Sequence, residues 1–572
     1  MHWIPPRAGS RRVALATVTL SLLFSSYFNA HAAGPQAQTG QLPVSSADGT
    51  PVTIAGTLTL LYTDDFAHHR AELIHVVRDE RTGRDFRLRF QDTPPADLHS
   101  GMFVTASGRA HESDVDTFAY LTTATSTSTA TDTSAPAAPV IGEQRTVVLL
   151  VNFQDNATRP FTLATANAEV FTTLNGFYRE NSFGRTWLAG DAFGWFTLPM
   201  SGSVCDPTTL ATLAQQSARA AGVDLTRYTR TVYMFPQIPC SWSGMATVGN
   251  TPSEAWINYP SYLSGRDFLQ QLAHEMGHNF GLAHAHSWYC ATEYVLEPCS
   301  WREYGDFLDP MGNDAAHFNA FNKEQLGWLN YLGAPAITTV SASGTYKIEP
   351  YESTPAGGAK ALKILRSVDA TTGARSWYYV ESRRDIGADA FVSGFYGPSV
   401  VDGLLVRIGT DRDTWSSNLL DTTPETSDFW DPALAPGDTF VDPIAGVTIA
   451  ANTVSDTGAS VTVTLAAAPV PPPSQTPGTL AVNASAALSR RTVSLAASVS
   501  AGASPGAGAS VTFRVTKPNG AVVTATAVAG SAGTAAYSLR LAAKDPPGTY
   551  QVVAAASLNG ISGSGTTSFV VR

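Results

Sequence analysis

The sequence predicts a multidomain α+β protein, and three features carry that expectation. A stretch with helical spacing of apolar residues and histidines, residues 268–280, follows strand-like and helix-like runs that alternate from residue 146 onward. Short period-two runs fill the regions on either side of it. Two segments poor in large apolar residues, 121–142 and 467–478, cut the 572 residues into blocks of domain size. With 44% hydrophobic and 15% charged residues, the chain has enough apolar surface for several cores.

Residues 1–32 read as an export signal. Arg7, Arg11 and Arg12 precede the apolar stretch 13–28, and Ala30-His31-Ala32 supplies small residues at a cleavage site. A secreted, extracellular protein is therefore expected, and no later stretch is long and apolar enough to span a membrane. A net charge of −11 argues against nucleic acid or an anionic membrane as partner. Cys205, Cys240, Cys290 and Cys299 form an even set, which in an exported chain suggests two disulfides. Proximity along the chain favours Cys205 with Cys240 and Cys290 with Cys299; the other two pairings stay open.

Within 33–120, runs at 52–61, 70–77, 85–90 and 101–109 predict a β-rich N-terminal domain. Its place at the front of the chain favours a pro-domain that blocks a cleft or assists folding; the alternative is a plain β module. It holds no cysteine, so no thiolate from this region can silence a metal. The Ser/Thr/Ala/Pro linker 121–142 is where a protease would nick an exposed backbone.

From 143 to 332 the pattern changes. The run 146–153 is continuously apolar, as in a central strand; 166–179 and 208–221 read as helices, 231–235 as a strand and 268–280 as a helix, together a mixed sheet with a helix against it. From 333 to 466, runs at 345–350, 361–365, 377–381, 403–408 and 461–465 predict a β-rich domain. Asp421, Asp431, Asp438 and Asp442 are oxygen donors available to a calcium ion, although aspartates in loops more often shape turns. Beyond the Pro-rich linker 467–478, strand runs between 493 and 571 predict an immunoglobulin-like sandwich over 479–572, a module that would contact a cell surface or matrix or simply act as a spacer.

The chemistry lies in His274-Glu275-x-x-His278-x-x-Gly281-x-x-His284. Two histidines four apart on a helix share a face and can reach one ion. Gly281 can take the left-handed conformation that ends the helix and lets the chain return with His284 as third ligand. Three neutral imidazoles suit one catalytic Zn2+ with an open fourth position, since structural zinc is usually closed by four protein ligands. The carboxylate of Glu275, beside the ligands but not among them, has the position of a general base. A buried helix that merely contains histidines would not need all five fixed residues.

Downstream, Tyr304-Gly305-Asp306-Phe307-Leu308-Asp309-Pro310-Met311-Gly312 forms a tight turn carrying Met311. An elongated zinc motif followed by such a Met-turn resembles the metzincin signature. With 317–329 and the stretch Phe177-Tyr178-Arg179-Glu180-Asn181-Ser182-Phe183-Gly184, the chain from about 146 to 465 resembles the gametolysin (autolysin) metallopeptidases. The resemblance implies a metzincin-type catalytic domain and a secreted endopeptidase acting on protein or peptide substrates. It implies attack by a zinc-bound water with Glu275 as general base and then acid. The region of Trp242, Gly244 and Trp256-Ile257-Asn258 would include the edge strand on which an extended peptide lies. Asn313 stands where some metzincins add a tyrosine ligand, so no fifth ligand is assigned. Tyr304 is a candidate for assisting the oxyanion, though a structural role fits a tyrosine there better. The reading from a different class is a zinc-stabilised adhesion or surface-binding protein without proteolytic activity.

Overall fold

A computed structural model describes residues 50–90, 94, 98–111, 114–123, 139–260, 265–290, 299–426, 429–466, 480–501, 504–542, 544–558 and 561–572. The export signal, most of the 121–142 linker and the 467–478 linker lie outside the described residues. Two compact units divide the chain, Met1–Ala466 and Ala467–Arg572.

Among the described residues 49% are in strands and 15% in helices. The expected α+β class, with a metzincin-type catalytic domain set between β modules, is therefore corrected: the protein is predominantly β. The helical periodicity is real but confined to a few spans, whereas period-two runs occupy most of the remaining chain. The N-terminal strands also do not stop at a module boundary. They join the strands of the central region in one ten-stranded sheet.

That sheet contains β1 (Thr50–Asp65), β2 (Arg70–Asp79), β3 (Asp85–Phe90), β4 (Phe103–His111), β5 (Asp114–Thr123), β6 (Gly142–Phe153), β7 (Thr186–Leu198), β8 (Arg230–Pro236), β9 (Gly244–Thr247) and β10 (Ser253–Tyr259), in the order β2-β3-β5-β4-β1-β9-β10-β8-β6-β7. β1 also pairs with β2 along most of its length, so β1 to β5 curl into a small barrel-like body. The junction is the antiparallel pairing of β1 with β9, Leu61 to Asp64 opposite Thr247 to Gly244.

Helices cover the central strands on both faces. α1 (Leu163–Ala168) runs through a π-type turn into α2 (Asn175–Asn181); α3 is Pro207–Ala220, α4 is Gly265–Asn279 and α5 is Ala320–Gln325. Along β6, Val148 and Leu150 pack into the cluster that holds Leu272 and Met276 of α4, while Val147, Leu149 and Val151 pack with Leu210, Ala214 and Ala218 of α3. A strand buried on both faces needs apolar residues at every position, which explains its unbroken run. Burial of Leu272 or Met276 contributes about 1.5–3 kcal/mol each, holding α4 flat against the sheet. α3 starts where Pro207 follows Asp206, whose carboxylate accepts from the Thr209 amide at 2.9 Å.

A second, eleven-stranded sheet draws its strands from His286 to Leu465. Its edge is formed by β11 (His286–Cys290) and β12 (Cys299–Arg302), β11 lying parallel to strand Asp413–Leu420. β11 begins two residues after His284, so the chain leaving α4 is anchored at once in this sheet. The C-terminal unit consists of two four-stranded sheets with antiparallel pairing, enclosing Val493, Leu495, Val511, Phe513, Tyr550 and Val552.

Candidate metal centre

α4 brings His274 and His278 to one face, both fully buried. The helix ends as the sequence implies. Gly281 has φ 99°, its amide donates to His278 O at 2.8 Å, and the Leu282 amide donates to Gly277 O at 3.1 Å. This turn delivers His284, also fully buried, against the pair: its Nε2 is 3.1 Å from His278 Nε2.

Each imidazole is held by its other nitrogen. His274 Nδ1 donates to Pro310 O and His278 Nδ1 to Leu282 O, both at 2.8 Å, because a carbonyl can only accept. Glu303 takes the same role for Nδ1 of His284, and its Oε1 lies 3.5 Å from His286 Nε2. With the Nδ1 hydrogens so engaged, the Nε2 lone pairs of all three rings face inward, the tautomer a metal ligand needs. His274 Nε2 is buried and has no hydrogen-bond partner.

Glu275 is fully buried, and neither carboxylate oxygen has a hydrogen-bond partner. Burial, together with the nearby Asp64 charge, holds its pKa well above the usual carboxylate range. Met311 is buried beneath the helix, so close that a Cβ on Gly277 would lie 2.3 Å from its sulfur. Asp309 shapes that turn, with Oδ1 accepting from the Met311 amide at 2.8 Å and Oδ2 from the Asn319 amide at 2.7 Å. Disulfides join Cys205 to Cys240 and Cys290 to Cys299, the latter bridging β11 and β12 just ahead of Glu303.

Sequence reasoning missed a fourth member of the cluster. Asp64, the penultimate residue of β1, is fully buried, with Oδ1 2.9 Å from His284 Nε2 and 3.6 Å from His274 Nε2, and Oδ2 3.5 Å from His278 Nε2. Asp64, His274, His278 and His284 thus form a group able to hold one metal ion. Burial alone would raise the Asp64 pKa, but the three imidazoles outweigh it and hold the carboxyl well below its usual range. Burial likewise opposes protonation of His284, yet Asp64 and Glu303 lift its pKa to about 9. His278, where burial prevails, falls to about 4. A cluster that draws positive charge this strongly is suited to a cation.

The spacing agrees with that. A tetrahedral ion with bonds of about 2.0–2.1 Å sets its donor atoms roughly 3.3–3.4 Å apart; here the three carboxylate–imidazole separations and that between His278 and His284 run from 2.9 to 3.6 Å, and all four donor atoms lie within 4.8 Å of one another. Three of the four aspartates considered for calcium have other work. Asp421 and Asp431 accept from Thr423, and Asp442 caps the turn at Ile444 and accepts from Tyr378. Tyr304 lies 4.5 Å ring to ring from His284, and its hydroxyl donates to Asp64 Oδ1 at 2.7 Å.

A family model described as gametolysin peptidase M11 matches residues 154–380. This segment is that of a gametolysin-like metallopeptidase. It contains the three histidines, Glu275 and Met311, while Asp64 lies outside it. Such a peptidase implies a metal and a protein substrate. No curated protein matches the chain at a significant level. Among solved structures, wild-type OgpA from Akkermansia muciniphila aligns at 10% identity over 76% of this chain and 94% of that one, with a TM-score of 0.18. A tetra-tandem repeat from the extending region of a large adhesion protein aligns at 13% identity over 35% and 58%, with a TM-score of 0.13. Neither superposition is good enough to support an argument about this chain. Among its described residues no helix is long and apolar enough to cross a membrane.

Proposed function

We propose that the chain is a secreted zinc-dependent endopeptidase that hydrolyses internal peptide bonds of extracellular or cell-wall proteins. The observation that carries this reading is the convergence of three oriented imidazole Nε2 atoms beside a buried carboxylate that binds nothing else. Nitrogen donors at tetrahedral spacing suit Zn2+, with His274, His278 and His284 as the permanent ligands. When bound, zinc polarises the scissile carbonyl and makes water a stronger acid.

The protein supplies the remainder. Glu275 takes the proton of the attacking water and passes it to the leaving amine nitrogen. With β1 displaced from it, β9 would offer backbone donors and acceptors to an extended peptide, and β-strand addition of this kind places a backbone with little regard to side chains. The two disulfides suit an oxidising compartment outside the cell.

The test uses protein recovered after export and processing. A chelator should abolish fragmentation of a casein-like substrate into internal peptides, and zinc should restore it. Glu275→Gln should keep the fold and the zinc yet lose cleavage by about 10²–10⁴-fold. Undiminished cleavage by that variant would leave the adhesion reading, with zinc as a structural ion, as the better one.

A further inference from the structure

We propose that Asp64 is a fourth ligand of the metal and that its strand occupies the peptide groove, so that the chain with its N-terminal strands in place is a latent peptidase. This rests on the peptidase reading for what is silenced; the ligand assignment stands on geometry alone. The carboxylate is fully buried, and its oxygens face all three imidazole Nε2 atoms at 2.9 to 3.6 Å. Its Oδ2 has no hydrogen-bond partner, and neither has His274 Nε2. Three imidazole nitrogens and a carboxylate that face one point at these distances suit a cation between them. One divalent ion satisfies all four groups, and three imidazoles plus a carboxylate close a tetrahedral shell, leaving no position for a water.

The strand makes the same point in backbone terms. β1 runs antiparallel to β9, and the ladder is extended at both ends: Val248 N–H donates to Leu60 O and Ser243 N–H to Asp64 O, each at 2.9 Å. β9 is otherwise paired only on its β10 side, so without β1 it would be a free edge. An extended substrate would need that edge, beside the metal and Glu275. The hairpin of β1 and β2 turns just beyond Asp64, which places the carboxylate near the tip of an inserted finger. Tyr62 stacks on His278 at 4.5 Å and lies 4.2 Å from His284, and Phe66 meets His274 edge-on at 4.8 Å. Tyr304 steadies the carboxylate through its hydroxyl at 2.7 Å. The absence of cysteine from the N-terminal region therefore does not leave the metal free there; an oxygen ligand takes the place a thiolate would have had.

The experiment compares the intact chain with Asp64→Asn, which preserves shape, and Asp64→Ala, each loaded with Co2+ in place of zinc. In the intact wild type, the visible absorption of cobalt should be unaffected by a small hydroxamate. In both variants the spectrum should differ from the wild type, and the hydroxamate should shift it further. A strand seated about 99% of the time lowers turnover of a short peptide about 100-fold relative to protein freed of its N-terminal region, and Asp64→Ala should recover at least about 10-fold of this. Circular dichroism confirms that the variants are folded, and Asp64→Asn serves if Asp64→Ala is not. Identical cobalt spectra for wild type and a folded variant overturn the ligand assignment, and equal turnover by intact and freed wild-type protein overturns latency. A freed protein that binds cobalt but cleaves no peptide overturns the peptidase reading instead, while the spectra still report on Asp64.

Discussion

Gly244 and Glu275 touch across the gap between β9 and α4: a Cβ at position 244 would lie 1.7 Å from Glu275 Oε1 and 2.5 Å from its Cδ. β9, which lies between β1 and β10 rather than at the expected edge, and the proposed general base are thus fitted to each other through a missing side chain. Gly244→Ala must push the carboxylate aside, and because that end of Glu275 is flexible the cost falls on position more than on stability. We expect kcat of the processed enzyme to fall by about 10²-fold or more, with zinc content and thermal midpoint nearly unchanged. Steady-state kinetics beside metal analysis checks this, and an unchanged kcat would mean that the carboxylate acts from elsewhere.

Glu303 acts one shell further out. It accepts the Nδ1 hydrogen of His284 and sits 3.5 Å from His286 Nε2. Removing its charge with Glu303→Gln loosens the orientation and basicity of a candidate ligand without removing the ligand. Zinc affinity of the processed enzyme should drop about 10–100-fold, read by competition with a chromogenic chelator. Equal affinity would show that the ring is fixed by packing alone.

The helical half of this centre was legible because its geometry is local. The spacing of His274, His278, Gly281 and His284 sets a face and a turn within eleven consecutive residues, and the helix and its cap follow from that. Asp64 was not legible, since it lies 210 positions before His274 and reaches it only through the pairing of β1 with β9. A short strand such as Gly244–Thr247 gives no sign in sequence of which partner it takes. The same long-range pairing hid the extent of the β structure: alternation marks strands of the N-terminal region and an unbroken apolar run marks 146–153, but nothing local tells that they share one sheet. Arg407 shows the limit again: it stands in a run read only as a strand, 403–408, and is wholly buried.

Arg407 holds the Met311 turn from behind. Its Nε donates to Asp306 Oδ2 at 2.6 Å, a second nitrogen reaches Oδ1 at 3.2 Å, and Nη1 meets Glu381. Asp306 in turn accepts from the Leu308 amide at 3.1 Å. Arg407→Leu would leave Asp306 buried without its cation and Glu381 with Arg383 alone, at 3.5 Å, so we expect a loss of about 3–5 kcal/mol, measured by urea denaturation of the intact chain. A triple variant that also neutralises Asp306 and Glu381 should recover part of this, because the penalty comes mainly from the uncompensated charges.

His75 makes the N-terminal strands sensitive to acid. It lies in β2 directly opposite Leu60 of β1 and Leu88 of β3, with Phe90 edge-on at 5.1 Å, and burial in these apolar surroundings lowers its pKa to about 4 from an ordinary value of 6.5. Between these values the unfolded chain binds a proton that the folded strands refuse. The stability due to a neutral His75 is thus fully present above pH 6.5 and declines as the pH falls toward about 4. Because Leu60 is four residues from Asp64 on the same strand, weakening here loosens the segment that fills the groove. Hydrogen exchange of residues 50–79 should therefore speed up as the pH is lowered through this window, after correction for the intrinsic rate. His75→Phe should show less of that acceleration than the wild type, and an identical profile would assign the acid response to other groups.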